Sequence, residues 1–195
     1  PQSAILLEMG TGKTKIAIDL MTWSFRKGQV KRVLFVAANS VVPLWELPDI
    51  TQHLHDDFCK VTVLSGSSQG KIKQLKVVLE EDVPGFIITN YEALLGLHEY
   101  LLTAQCGNIK LFDAMVLDES SKIKHGVSKR SKLCWRIGKS VTYRNILTGT
   151  PITQSAEDIF SQFRFLKQEI FGPFATAFRG TYLMMGGWEN RQIMG

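Results

Sequence analysis

The sequence predicts an α/β domain, a mostly parallel β-sheet sandwiched by helices, and three observations carry that reading. Short, nearly continuous apolar runs alternate with segments of helical periodicity, as expected of strands covered on both faces. The first run passes through a glycine-rich turn directly into a helix. The conspicuous polar residues follow the apolar runs, where ligands gather at the carboxyl ends of parallel strands. Right-handed crossovers then place the helices on the sheet faces.

The opening strand is expected at Ala4–Leu7. Its end merges into Leu7-Glu8-Met9-Gly10-Thr11-Gly12-Lys13-Thr14, which follows the pattern G-x-x-x-x-G-K-[ST] except that Leu7 fills the first glycine position. Gly10 and Gly12 let backbone N–H groups point inward without a Cβ in the way. Lys13 supplies a cation for β/γ-phosphates, and the Thr14 hydroxyl suits Mg²⁺. Met9, Gly10, Thr11, Gly12, Lys13 and Thr14 are therefore the candidate contacts to a nucleoside triphosphate. A helix over Lys13–Arg26 follows at apolar spacing.

Further strands are expected at Arg32–Ala37, Lys60–Leu64, Gly85–Thr89, Ala114–Leu117 and Arg144–Leu147, with helices at Pro43–His55, Gln69–Glu80, Tyr91–Thr103, Lys129–Ile137 and Ser155–Leu166. Trp45, in the second of these helices, suits core packing as well as contact with nucleic acid. The lysines of 71–76 suit a solvated helix face as well as a phosphate track. Phe171 to Gly195 is rich in aromatics and glycine and breaks the alternation.

Two polar strand ends carry further chemistry. Ala114-Met-Val-Leu-Asp118-Glu119 ends in adjacent carboxylates, which point in different directions and can serve different oxygens. Asp118 can hold a water of the Mg²⁺ shell, and Glu119 can orient or deprotonate the water that attacks a γ-phosphate. Alone, such a pair could simply cap a helix; a hundred residues after a phosphate loop, hydrolysis is the stronger reading. In Thr148-Gly149-Thr150-Pro151, two hydroxyls separated by glycine could bond the acidic site on one side and another segment on the other, although the same residues make an ordinary turn.

Composition bounds these readings. At 195 residues the chain fits one full domain or two small ones, and its formal charge of +5 permits a polyanionic partner without demanding one. No apolar stretch approaches the roughly 20 residues of a membrane span, so no membrane partner is expected. Cys59, Cys106 and Cys134 stand singly, which reads as reduced thiols in an intracellular protein. His53, His55, His98 and His125 have no metal-ligand spacing with them. The chain opens on Pro1, so close to the first strand that sequence upstream is expected.

Taken together, these motifs resemble the first, RecA-like motor lobe of a superfamily-2 helicase, most closely the Swi/Snf-type DNA translocases. Glu-Met-Gly-Thr-Gly-Lys-Thr is similar to that family's phosphate loop. The run from Val33 to Trp45 resembles its second motif, Ile87 to Glu92 its Thr-Tyr-Glu segment, and Asp118 to Lys124 its acidic box. Leu147 to Ile152 resembles its coupling motif, and Phe171 to Phe174 a Phe-Gly element beyond it. The resemblance implies ATP and Mg²⁺ as cofactors, with Lys13 and Glu119 catalytic and Thr14 and Asp118 at the metal. Thr148, Gly149 and Thr150 would couple hydrolysis to movement, and Ser40, Ser65, Gly66, Asn90 and Tyr91 would face a double-stranded DNA backbone without reading bases.

It also implies a lobe over residues 1–170, with 171–195 beginning the segment toward a second RecA-like lobe that supplies an arginine finger, since neither Arg179 nor Arg191 has a finger's context. The chain departs from the family in Ser120-Ser121, where Ala-His is usual, and in Asn39, where Pro is common; the upstream adenine-reading glutamine motif is absent. A strand-separating or RNA-directed lobe of the same superfamily, or a nucleotide-gated binding module without turnover, are the alternatives. The compact spacing leans toward a bacterial or phage source.

Overall fold

The computed structural model describes residues 2–46, 59–81, 83–106, 110–186 and 192–193. Six strands form one sheet: β1 (Gln2–Leu6), β2 (Arg32–Ala37), β3 (Lys60–Val63), β4 (Gly85–Asn90), β5 (Ala114–Asp118) and β6 (Tyr143–Thr148). All pairings in it are parallel, in the order β1-β6-β5-β2-β4-β3. Helices α1 (Lys13–Arg26), α2 (Ser68–Glu80), α3 (Tyr91–Gly96), α4 (His98–Cys106), α5 (Lys129–Gly138), α6 (Glu157–Leu166) and α7 (Ala175–Tyr182) accompany it, and an antiparallel pair, β7 (Met185–Gly186) with β8 (Gln192–Ile193), stands apart from the main sheet.

The period of two along each strand makes both faces apolar. Val33, Phe35, Ala37, Phe86, Ile88, Ala114, Val116 and Leu147 join Ala17, Ile18, Met21 and Phe25 of α1 in one core. Their alternates Leu34, Val36, Ile87, Met115, Leu117 and Ile146 join Leu75, Leu94, Leu101, Leu133, Ile137 and Phe165 from α2 to α6 in the other. The continuous apolar runs are thus the signature of a sheet buried on both sides. Trp45 belongs to the first core: it is 1% exposed, with its ring 4.5 Å from Phe35 and 5.9 Å from Phe86. A third, small core sets Phe178 of α7 against Phe160 of α6 and Phe171, at 5.2 and 5.0 Å.

The elements differ from expectation in three places. The helix expected over Pro43–His55 is a 3-10 turn over Val42–Glu46, and residues 47–55 lie outside the described residues. The helix expected over Tyr91–Thr103 is broken at Leu97, whose N–H bonds back to Ala93 and Leu94. Just before that break, a Cβ on Gly96 would lie 2.4 Å from Ser68 Oγ, so a larger residue would make that hydroxyl rotate away. Helix α6 starts at Glu157 rather than Ser155 because Asp158 takes the backbone N–H groups of Thr153 and Gln154, at 2.9 and 2.8 Å, into a capping turn.

Strand order also sorts the polar strand ends. Neighbours β1, β6 and β5 bring together the glycine-rich turn, Thr148 and Asp118, with Leu6 paired to Thr148 and Asp118 to Leu147. On the other half, β2 pairs with β4 and β4 with β3, gathering the turns around Ser40, Asn90 and Ser65, with Ala37 paired to Asn90.

Candidate functional site

The glycine-rich loop is built by left-handed backbone at Gly10 (φ 78°) and Gly12 (φ 82°), conformations that a Cβ penalises. Gly12 is the N-cap of α1, so the helix begins at Lys13 with its free N–H groups and positive dipole end directed at the loop. Thr11 Oγ1 donates to Glu8 O at 2.7 Å, and Lys13 Nζ donates to the carbonyls of Leu7 (2.9 Å) and Glu8 (2.6 Å). These are neutral partners, so the ammonium is positioned over the loop without being paired to a carboxylate among the described residues. The loop faces open solvent, with Met9 81% exposed. Leu7 in the first glycine position is tolerated because its φ is not positive; among the described residues Glu119 is the one non-glycine with that conformation.

Asp118 closes β5 and is 9% exposed. Burial raises its pKa above the ordinary carboxylate value, as does the charge of Glu119, against the opposing pull of the Glu119 N–H (3.0 Å to Oδ1) and the Lys13 ammonium. A desolvated carboxylate of this kind gains from a nearby cation. Mg²⁺ is the cation that fits, since it is held by one or two carboxylates with waters and phosphate oxygens rather than by an all-protein cage. No group of three or more His, Cys, Asp or Glu able to form such a cage occurs among the described residues.

Glu119 adopts φ 52° and ψ 57°, a strain of about 1–2 kcal/mol for a side-chain-bearing residue. Its Oε1 accepts from Ser121 Oγ (2.7 Å) and Thr148 Oγ1 (3.1 Å), while Oε2 bonds to no described residue and is available to a water. Thr148, fully buried, also accepts from the Thr150 N–H at 3.1 Å. A Cβ on Gly149 would lie 3.2 Å from Leu7 O and 3.3 Å from Met9 N. The Thr-Gly-Thr turn therefore touches the acidic pair through a hydroxyl and the glycine-rich loop through a bare Cα.

Ser120 and Ser121, which depart from the family pattern, are both used. Ser121 holds Glu119, and Ser120 Oγ, fully buried, donates to Gln162 Oε1 at 2.7 Å. Gln162 Nε2 in turn donates to Pro151 O (2.7 Å) and Asp158 O (3.0 Å), tying the acidic turn to the end of the Thr-Gly-Thr-Pro segment. None of these roles was read from the sequence. A signal existed in Asp158, Ser161 and Gln162, polar residues three and four apart that α6 buries as one stripe.

On the other half of the sheet edge, Ser40 and Asn90 line a groove of about 520 Å³ together with Asn39, Lys71, Glu92 and Lys122. Ser65 and Gly66 (φ 81°) form an exposed loop beside it, held by Gln74 Oε1 on the Ser65 N–H (3.0 Å) and by Lys71 Nζ on Gly66 O (2.9 Å). Asn90 caps α3 through the Ala93 N–H (2.6 Å) and donates to Asn39 Oδ1 (2.9 Å), so Asn39 has its own partner where the family commonly has Pro.

Tyr91 is a correction. Expected at the nucleic-acid face, it is 1% exposed and cannot reach a phosphate. Its ring closes the core, and its hydroxyl donates to Asp118 O at 2.8 Å. Burial holds the phenol pKa well above its ordinary value, so it stays a donor. The Arg130 guanidinium lies 5.6 Å above the ring and bonds Glu92 at 2.7 Å. Tyr91 thereby links the groove to the acidic pair.

Comparison with known proteins agrees with this fold. A family model described as the SNF2-related domain matches residues 2–184. The chain is 29% identical over 164 residues to the DNA excision repair protein ERCC-6-like of Mus musculus, covering 83% of this chain and 12% of that protein. It is 30% identical over 148 residues to the DNA repair protein rad5 of Aspergillus fumigatus, covering 73% of this chain and 12% of that one. The SWI2/SNF2 ATPase core domain of Sulfolobus solfataricus superposes with a TM-score of 0.65 at 26% identity, over 93% of this chain and 33% of that one. The same core in complex with dsDNA gives 0.68 at 23% identity, over 92% and 34%.

Proposed function

This chain belongs to the SNF2-related domain family, and on that premise we propose that it is the ATP-binding lobe of a motor that couples ATP hydrolysis to movement on double-stranded DNA. The observation that carries the reading is the joining of three chemical elements at one sheet edge. Thr148 bonds the carboxylate of Glu119 while Gly149 abuts the phosphate loop, so a change at one is felt at the others.

In this reading the N–H groups of Met9 to Thr14 and the Lys13 ammonium hold the phosphates. Thr14 and Asp118 hold Mg²⁺, which when bound neutralises charge on the phosphate oxygens. Glu119 Oε2 positions the attacking water and takes its proton. Ser121 and Thr148 keep that carboxylate aimed, and Tyr91 fixes the backbone behind Asp118. Ser40, Ser65, Gly66 and Asn90, with Lys71 and Lys122 alongside, meet the DNA backbone through hydroxyl, amide and ammonium groups rather than base edges. That the Sulfolobus core carries dsDNA supports a duplex partner.

The lobe spans residues 1–170, and 171–195 begin the passage to a second RecA-like lobe that supplies the catalytic arginine. Within the described residues Arg179 is committed to Glu157 at 2.6 Å, which speaks against its use as the finger. No helix among the described residues is long and apolar enough to cross a membrane, and an intracellular setting follows from a DNA substrate.

The test is ATP hydrolysis with double-stranded DNA, single-stranded DNA and RNA in parallel, together with displacement of a third strand from a triplex. Stimulation by duplex and displacement without unwinding are expected. Stimulation by RNA alone, or separation of the duplex strands, would instead indicate the strand-separating or RNA-directed alternative.

A further inference from the structure

A second concavity lies away from the nucleotide loop. It is a cleft of about 930 Å³ along the flank of the domain, between α5 and α6. It runs from Lys124, just past the acidic turn, to Lys139 and Arg144 at the amino end of the sheet, opposite to the end that carries the phosphate loop. Nothing in the motor chemistry above uses it.

Its charge is lopsided. Seven Lys and Arg residues line it against three carboxylates, an excess of four in a chain whose net charge is +5. The carboxylates are engaged: Glu157 with Arg179 at 2.6 Å, Asp158 with Lys124 at 3.6 Å, and Glu169 through its field at Arg144. Lys132, Lys139 and Arg164 bond no carboxylate among the described residues. The Arg164 guanidinium lies 4.3 Å above the Trp135 ring, and the Trp135 Nε1 donates to Ser161 O at 3.1 Å, so the cation is held flat on a fixed platform. Gathering unpaired cations in a concavity costs stability through mutual repulsion, and an anionic occupant relieves it.

We propose that this cleft is a docking site for an acidic peptide segment. The cleft follows the seam between α5 and α6. It is about 15 Å long for helices of this length, so an extended segment of about five residues covers it. One exposed apolar side chain, Val127 (82% exposed), stands among the cations, which suits carboxylates interleaved with an apolar residue. A duplex backbone fits less well, because a seam only one short helix long admits few of its phosphates.

The test is fluorescence anisotropy of a labelled peptide of alternating Asp and Glu with a central Phe, titrated with this chain. Saturable, salt-sensitive binding is expected, weakened roughly tenfold in Lys132→Glu/Lys139→Glu. Lys132 is exposed on α5 and Lys139 is exposed at its C-cap, so the double variant keeps its fold, which a melting curve checks. Arg164→Gln should weaken binding too, Lys71→Glu in the other groove should not, and the Asn/Gln version of the peptide should not bind. The proposal is overturned if the peptide does not bind or binds the double variant equally well. It is also overturned if the double variant loses double-stranded DNA while keeping the peptide, which would make the cleft a nucleic-acid surface.

Discussion

Replacing Gly149 by Ala tests the contact between the Thr-Gly-Thr turn and the glycine-rich loop proposed to hold phosphates. The added methyl would stand 3.2 Å from Leu7 O and 3.3 Å from Met9 N, both backbone atoms, which must yield by a few tenths of an ångström. Gly149 has no positive φ, so alanine itself is unstrained there and the unfolded chain loses entropy, a gain of about 0.4–1 kcal/mol. Crowding costs about 1–3 kcal/mol if the loop is rigid. The two offset, and the net loss of stability should be about 1–2 kcal/mol, a fall of a few degrees in Tm.

Nucleotide affinity should fall further than stability. Leu7 O, one of the displaced atoms, also holds Lys13 Nζ at 2.9 Å. Displacing phosphate-binding amides and their lysine together by a few tenths of an ångström should weaken a fluorescent ATP analogue about tenfold, or about 1.4 kcal/mol. Gly180→Ala is the control: it lies in α7 with open space around its Cα, and should raise stability by about 0.5–1 kcal/mol without touching nucleotide affinity. Unchanged ATP affinity in Gly149→Ala would refute the view that this turn reports on the loop.

Other outcomes follow from the same geometry. Glu119→Gln should keep ATP·Mg²⁺ binding and lose turnover by on the order of a hundredfold or more, whereas Asp118→Ala should lose the Mg²⁺ dependence of binding; identical behaviour in titration and turnover would abolish the division of labour between them. Tyr91→Phe leaves the buried Asp118 carbonyl without its donor and should cost about 1–3 kcal/mol in thermal melting. Asp158 is held down to about 2 from the ordinary 3.8: burial, which pushes up, is outweighed by the Thr153 hydroxyl, the Gln154 and Thr153 N–H groups and Lys124. Its stabilisation is complete above pH 3.8 and lost as pH falls toward 2, so in urea melts Asp158→Asn should be less stable than wild type near neutrality and flatten the acid limb.

The architecture was legible because its strands are apolar on both faces. Arg32–Ala37 was read at its true ends, and the other strands of the main sheet within two residues of theirs. The glycine-rich loop was equally plain, since Gly10 and Gly12 stand where a turn into a Lys-Thr helix start needs left-handed backbone. What escaped has physical causes. Tyr91 follows a strand within a polar run, and nothing local distinguishes a phenol that meets water from one turned under the sheet edge toward Asp118. The break at Leu97 falls beside Gly96, which packs close to Ser68, twenty-eight positions upstream. The Ser120–Gln162 bond joins two segments that only the folded chain brings together. A buried polar stripe within α6 was visible as spacing, but its partners were not.

The central claim is that this lobe turns over ATP in response to duplex DNA only when a facing lobe completes it. The most direct measurement is steady-state ATP hydrolysis with and without double-stranded DNA, by this chain alone and by the same chain joined to the second lobe we propose. The account predicts slow, nearly DNA-independent turnover for the chain alone. For the joined protein it predicts a DNA-stimulated rate higher by roughly 10³–10⁵, the contribution of an arginine from the facing lobe, declining with salt as phosphate contacts are screened. Comparable rates for the two, or a joined protein indifferent to duplex DNA, would contradict it.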